Sequence, residues 1–149
     1  LQNFFKFHYE CRSKKPYKHA ITMMTFRTPK PESCGILELD KNRFVKKMHE
    51  KCQNPPGNLA NAAVYIIEQE VLSWIIENPD VTDFSTQVLN RYMGRISTWE
   101  NKQIHRDIGS IEMLAKAQHE GNSLAEISDE WALTFKENKI QKAVFGVDR

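Results

Sequence analysis

Apolar and polar positions alternate along the chain in two periods. Leu1, Phe4, Phe5 and His8 recur at helical spacing and Pro16 closes the run, which predicts an amphipathic helix whose apolar face needs a partner. From Ala20 to Phe26 the chain is apolar on both faces, as an interior strand is. Pro29 and Pro31 mark a loop. Two strand-like runs follow, Gly35 to Leu39 and Phe44 to Lys51, with the polar Asp40-Lys41-Asn42-Arg43 between them as a hairpin turn. Asn54-Pro55-Pro56-Gly57-Asn58 reads as a loop, because its prolines cannot donate ladder hydrogen bonds, and a strand is expected from Asn61 to Ile67.

Val71, Leu72, Ile75 and Ile76 then predict a helix from Glu70 to Glu77, ended by Asn78-Pro79-Asp80. Asp83 or Ser85 can cap a helix bearing Val88, Leu89, Tyr92 and Met93, with Gly94 just past its end. Ile96 to Trp99 and Ile104 to Ile108 read as short strands. Ser110 opens a helix with Ile111, Leu114 and Ala115 facing inward, Gly121-Asn122 is a break, and Ser123 with Glu126 forms a capping box for a last helix carrying Leu124, Ile127, Trp131 and Phe135. Strands alternating with helices predict an α/β layered domain, and the Asp40 hairpin makes its sheet mixed.

Composition narrows the class. The 149 residues are 40% hydrophobic, enough for the core of one folded unit, and the charges nearly cancel at +2, which gives no electrostatic reason to expect nucleic acid or an anionic membrane. Cys11, Cys34 and Cys52 have neither disulfide nor zinc-ligand spacing and read as inert small hydrophobes in a reducing, cytoplasmic setting. No apolar run approaches the length of a membrane span, and the first residues lack a signal-peptide pattern. His8, His19 and His119 are expected at the surface.

The candidate chemistry lies at predicted strand ends. Lys51 is a compact positive charge suited to phosphate, Glu50 and Asn61 can hydrogen-bond sugar hydroxyls, and Asp107 is a hard oxygen ligand suited to Mg²⁺. Asp83 can add a hydroxyl contact, or simply start a helix with Phe84 packed beneath it. Asp107 can likewise serve as a cap for the helix near Ser110. His49 and His105 flank this group without an acid or nucleophile at telling spacing, so no catalytic role is assigned to them.

Read in order, Thr22 to Thr28, Ser33 to Asp40, His49-Glu50-Lys51, Asn58 to Tyr65, Asp83 to Thr86 and Arg106 to Ser110 resemble the sugar-1-phosphate nucleotidylyltransferases, above all the mannose-1-phosphate and heptose-1-phosphate guanylyltransferase branch. The likeness forms a core over residues 20–118, with 119–149 as a helical extension of a single, partial domain. It implies a Rossmann-like nucleotide-diphospho-sugar transferase fold, a mixed sheet with flanking helices, lacking its amino-terminal half. It also implies a reaction in which a sugar 1-phosphate attacks the α-phosphate of a nucleoside triphosphate, GTP in this branch, and releases pyrophosphate. By resemblance, Glu50 and Lys51 touch the sugar and its phosphate, Asn61 lies in the sugar pocket, Asp83 is close to it, and Asp107 helps to hold Mg²⁺.

The chain departs from the family pattern at Cys52, where proline is usual, at Ala63, where glycine is common and a methyl would narrow the pocket, and at Ser110, where threonine is frequent. The glycine-rich triphosphate loop and a second metal-binding aspartate are not found here, and no GxGxxG or GxxxxGK occurs. The expectation is a sugar-phosphate-binding half, inactive by itself, whose exposed sheet edge invites a homodimer. A different class of function stays open beside it: a non-catalytic module that binds sugar phosphates or dimerises.

Overall fold

The computed structural model describes residues 1–14 and 19–124; the chain divides into two units, Leu1–His105 and one that begins at Arg106. The first unit opens with helix α1 (Gln2–Lys14) and then builds a five-stranded sheet from β1 (Ile21–Arg27), β2 (Gly35–Leu39), β3 (Val45–Glu50), β4 (Leu59–Ile67) and β5 (Ile96–Glu100) in the spatial order β3-β2-β4-β1-β5. β1 pairs antiparallel with β4 and parallel with β5, so the sheet is mixed as its sequence predicts.

Because successive side chains of a strand point to opposite faces, β1 divides its residues between two cores. Ile21 and Met23 join Val45, Leu59, Val71, Leu89, Tyr92 and Ile96 under helix α2 (Gln69–Glu77) and the short helix α3 (Leu89–Arg91). Met24 packs on the other face with Phe4 of α1, Ala62 and Trp99. This makes a helix-sheet-helix sandwich. The apolar run from Ala20 to Phe26 is explained: both faces of β1 are covered.

Among the described residues the β2–β3 hairpin pairs with β4 through Ile36 and Ala60, and Phe44, just before β3, bridges Ser97 of β5. Its turn is fixed by Asp40, whose Oδ1 accepts from the backbone N–H of Asn42 at 2.8 Å and of Phe44 at 2.9 Å, while Arg43 takes a left-handed φ of 64°.

Four expectations are corrected. Residues 104–108 form no strand, and Ile104 and Ile108 are exposed: two isoleucines four apart satisfy the strand period, but they pair with no neighbouring strand. Helix α4 (Ile111–Leu124) continues through Gly121-Asn122, since one interior glycine costs only about 1 kcal/mol and need not end a helix. Ile111 and Leu114 are exposed rather than inward, because spacing tells which residues share a face and not whether that face is covered. His8 and His19 are buried, at 5% and 1% exposure, as their ring nitrogens find polar partners inside the fold. His119 and the capping box from Ser123 to Glu126, with its helix, lie beyond the residues whose side chains are described.

Candidate functional site

Glu50 ends β3 opposite Gly35 of β2. Its carboxylate lies over that glycine so closely that a Cβ at residue 35 would sit 2.7 Å from Oε2, and Met48 Sδ would be 3.3 Å away. Gly35 thus leaves room for the acid on the sheet, which is a reason for glycine inside a strand. Lys51 follows with a left-handed φ of 44°, its N–H donating to Cys34 O at 3.2 Å. That conformation is sparsely populated for a residue with a side chain. Among the described residues no ion pair engages Glu50 or Lys51, whereas Glu38, Glu70 and Glu100 are matched with His49, Arg95 and Arg27.

Asn61 stands on β4 next to a bulge in which Ala62, Ala63 and Val64 face the single residue Met24 of β1. Ala63 adopts φ 55°, and its N–H donates to Asn61 Oδ1 at 2.9 Å. Four residues of regular strand would separate Asn61 and Tyr65 by about 13 Å. The bulge folds them together, so that Asn61 Nδ2 donates to the Tyr65 hydroxyl at 2.7 Å.

Tyr65 gathers the rest of the site. Its ring packs on Phe84 with centroids 4.9 Å apart. Burial pushes the phenol's pKa up, hydrogen bonds from Asn61 and Ser85 pull it down, and the charge of Glu50 adds to the rise. Glu50 from β3, Asn61 and Tyr65 from β4, and Phe84 and Ser85 from the π-helical turn Phe84–Val88 therefore form one group, with Lys51 adjoining. Tyr65 and Gly35 carry no assigned role in the sequence reading. The spacing Asn61-x-x-x-Tyr65 is the signal that would have found the tyrosine, since positions four apart share a strand face.

Asp83 caps that turn: its Oδ1 accepts from the Thr86 backbone N–H at 2.6 Å and from the Thr86 hydroxyl at 2.7 Å, and these bonds hold its carboxyl below the usual carboxylate range. The other candidate, Asp107, belongs to the second unit. There the Gly109 backbone comes close, with a Cβ at 109 falling 3.4 Å from Asp107 Oδ1, and the cap of α4 is Ser110, whose Oγ accepts from Met113 N–H at 3.2 Å. Among the described residues, Asp107 is in no cluster of three ligand-bearing side chains.

The group thus offers a carboxylate acceptor, an amide donor, an aromatic wall and an uncommitted ammonium. The model of the nucleotidyl transferase family matches residues 1–123, so the match takes in α1 as well as the core from residue 20. The chain belongs to the nucleotidyl transferase family. A curated relative, the bifunctional protein GlmU of Methanocaldococcus jannaschii, is 28% identical over 67 residues, which is 45% of this chain and 16% of that protein. A crystal structure assigned as a glucose-1-phosphate thymidylyltransferase from Bacillus anthracis superposes with a TM-score of 0.57 at 21% identity, over 80% of this chain and 49% of that one. The latter likeness establishes the nucleotidyl transferase fold, Rossmann-like and mixed α/β. This member of the family spans about half the length of that chain.

Proposed function

We propose that the chain supplies the sugar-phosphate-binding part of a cytoplasmic nucleotidyltransferase, which joins a sugar 1-phosphate to a nucleoside triphosphate and releases pyrophosphate. The observation that carries this reading is the Glu50 carboxylate, held over Gly35 and acting on Tyr65 of the Asn61–Tyr65 bond, with Lys51 next to it in sequence and neither of the two in an ion pair among the described residues, in a chain of this family. In this reading the Lys51 ammonium binds the phosphate, Glu50 accepts from sugar hydroxyls, and Asn61 donates the amide hydrogen that otherwise goes to the weak acceptor Met48 Sδ at 3.8 Å. The Tyr65–Phe84 wall covers the ring, and Asp83 adds a contact through the oxygen that its cap leaves over. Transfer of this kind is mostly positioning and charge neutralisation, so a preset cation and acceptor are the useful contributions of a binding half.

Asp107 would act as one oxygen ligand of a divalent metal, Mg²⁺ in this proposal. A single carboxylate fits that ion only together with substrate phosphates, which is how Mg²⁺ is commonly held. The metal would neutralise phosphate charge during transfer. GTP is the proposed triphosphate and mannose 1-phosphate the first sugar to test, following the guanylyltransferase resemblance, with the triphosphate-binding loop supplied from outside these 149 residues and a homodimer as the proposed assembly.

Calorimetry on the full chain tests the reading. Mannose 1-phosphate or glucose 1-phosphate should bind, and Lys51→Ala should weaken the complex at least tenfold, about 1.4 kcal/mol. Absence of binding by either sugar phosphate, or equal affinity in Lys51→Ala, would contradict it.

A further inference from the structure

Past the far end of β4, about 17 Å along the sheet from Asn61 when counted on the regular strand β1, lies a second group of side chains that sugar-phosphate recognition does not use. Glu68 follows β4, His19 precedes β1, and His8 sits on α1. His8 Nε2 is 3.4 Å and His19 Nδ1 is 3.8 Å from the same oxygen, Glu68 Oε1, and one ligand atom from each of the three residues lies within 4.8 Å of the others. We propose that His8 Nε2, His19 Nδ1 and Glu68 Oε1 are a three-ligand site for a divalent transition-metal ion of the zinc class.

Three observations support it. The first is spacing: bonds of about 2.0–2.1 Å from a tetrahedral zinc put neighbouring ligand atoms about 3.4 Å apart. The two separations from Glu68 Oε1, 3.4 and 3.8 Å, are close to that value, and the ligand atoms of the three residues, within 4.8 Å of one another, draw in around an ion to reach it. The second is polar satisfaction, because His19 Nδ1 and Glu68 Oε1 are both buried without a hydrogen-bond partner. A histidine 99% buried with a bare nitrogen turned toward a carboxylate is an arrangement that a cation resolves, since buried polar atoms are otherwise nearly always paired.

The third is the orientation of the rings from behind. His8 Nδ1 is 2.9 Å and His19 Nε2 is 2.8 Å from the hydroxyl of Thr22, which is in turn 3.5 Å from Ser97 Oγ. One proton assignment satisfies every partner. Both rings donate N–H to Thr22 Oγ, which accepts twice and donates its own hydrogen to Ser97. Each imidazole then presents a lone pair toward Glu68. Without a cation, Thr22 donates to one ring and accepts from the other, so one of the two nitrogens facing Glu68 is left as a bare lone pair against a carboxylate. Histidine metal ligands are ordinarily oriented by such a partner on the second ring nitrogen.

The charges around the site are compatible. Burial lowers the pKa of both histidines, His19 to about 4, so both are neutral near pH 7 and surrender no proton on binding a metal. Arg12 Nε lies 3.6 Å from Glu68 Oε1, but its side chain is 58% exposed and can swing into solvent when a dication enters. Arg95, the other cation acting on His19, is held by Glu70. A surface depression lined by Arg12, His19, Glu68, Gln69 and Glu70 gives an entry path and room for water as a fourth ligand. The ion would tie α1, the entry to β1 and the start of α2 to one point.

The test is zinc calorimetry on the full chain after chelator treatment and dialysis, with Mg²⁺ as a control. One equivalent of zinc should bind with a sub-micromolar Kd and raise the melting temperature, millimolar Mg²⁺ should not compete, and His19→Gln and Glu68→Gln should each weaken binding at least 100-fold. Thr22→Val should weaken it tenfold or more without removing a ligand. If a ligand variant fails to fold, cobalt decides with the unaltered chain. The site requires visible d–d bands of tetrahedral intensity and no thiolate-to-cobalt charge-transfer band. Binding through Cys11, Cys34 or Cys52, which that charge-transfer band would report, overturns the proposal, as does zinc binding weaker than 100 μM.

Discussion

Ala63 shows how a single residue can carry an architectural load. Its left-handed backbone, φ 55°, lets Asn61 and Tyr65 meet, and an L-residue there is strained by about 1 kcal/mol relative to glycine. Its methyl group is exposed, so the resemblance to a family with glycine at this position is explained by backbone conformation rather than by pocket width. Ala63→Gly should therefore stabilise the chain by about 0.5–1 kcal/mol in urea melts with the Asn61–Tyr65 bond preserved, although glycine's greater freedom in the unfolded state takes back part of the gain. A destabilised variant would mean that the bulge is not strained.

A second residue-scale outcome concerns pH. His19 has a folded pKa of about 4 against 6.5 in the unfolded chain, chiefly from burial, with His8, Arg95 and Arg12 adding repulsion. The unfolded state then binds more protons between these values, so stability falls as pH drops from 6.5 toward 4 and is unaffected by this residue above 6.5. The loss is on the order of 3 kcal/mol. Urea melts in chelator at pH 7 and pH 4.5 should show a smaller decline for His19→Gln than for the unaltered chain. Parallel declines would rule this out.

At the scale of elements, α1 is held by two buried rings, Phe4 and His8, of which Phe4 supplies the apolar contact. Phe4 is buried against Met24 and Ala62 and lies 5.5 Å from the Trp99 ring, while its helix neighbours Leu1 and Phe5 are exposed. Phe4→Ala should cost about 3 kcal/mol or more, and α1 should become the first part of the unit to lose amide protection in hydrogen exchange. A cost under 1 kcal/mol would show that the helix is anchored elsewhere. The stripe Leu1, Phe4, Phe5 and His8 made this helix legible in the sequence. So did the turn residues at Asp40 and the both-faces apolar run of β1.

What could not be read depended on contacts between distant segments. The burial of His8 and His19 follows from Thr22 and Glu68, which lie on other elements, and period alone cannot show that two histidines on different segments share one hydroxyl. The strand expected at 104–108 failed for the complementary reason, because apolar spacing is necessary for a strand and a pairing neighbour is also required. The candidate site was partly legible as a proposal: Glu50, Lys51 and Asn61 stand out by chemistry, whereas Gly35 and Tyr65 join it only once β2, β3 and β4 are laid side by side.

For the molecule as a whole, the sheet order brings β3 and β4 to either side of β2, so residues from three separate stretches of sequence converge on one end of the sheet. Family membership and this convergence make recognition of a glycosyl phosphate the central claim. A crystal structure of the chain soaked with mannose 1-phosphate tests it most directly. The account predicts phosphate oxygens within ion-pair distance of Lys51 Nζ, a sugar hydroxyl on a Glu50 carboxylate oxygen, and the ring against Tyr65 and Phe84. A sugar phosphate seated on other residues, with Glu50 and Lys51 untouched, would contradict it.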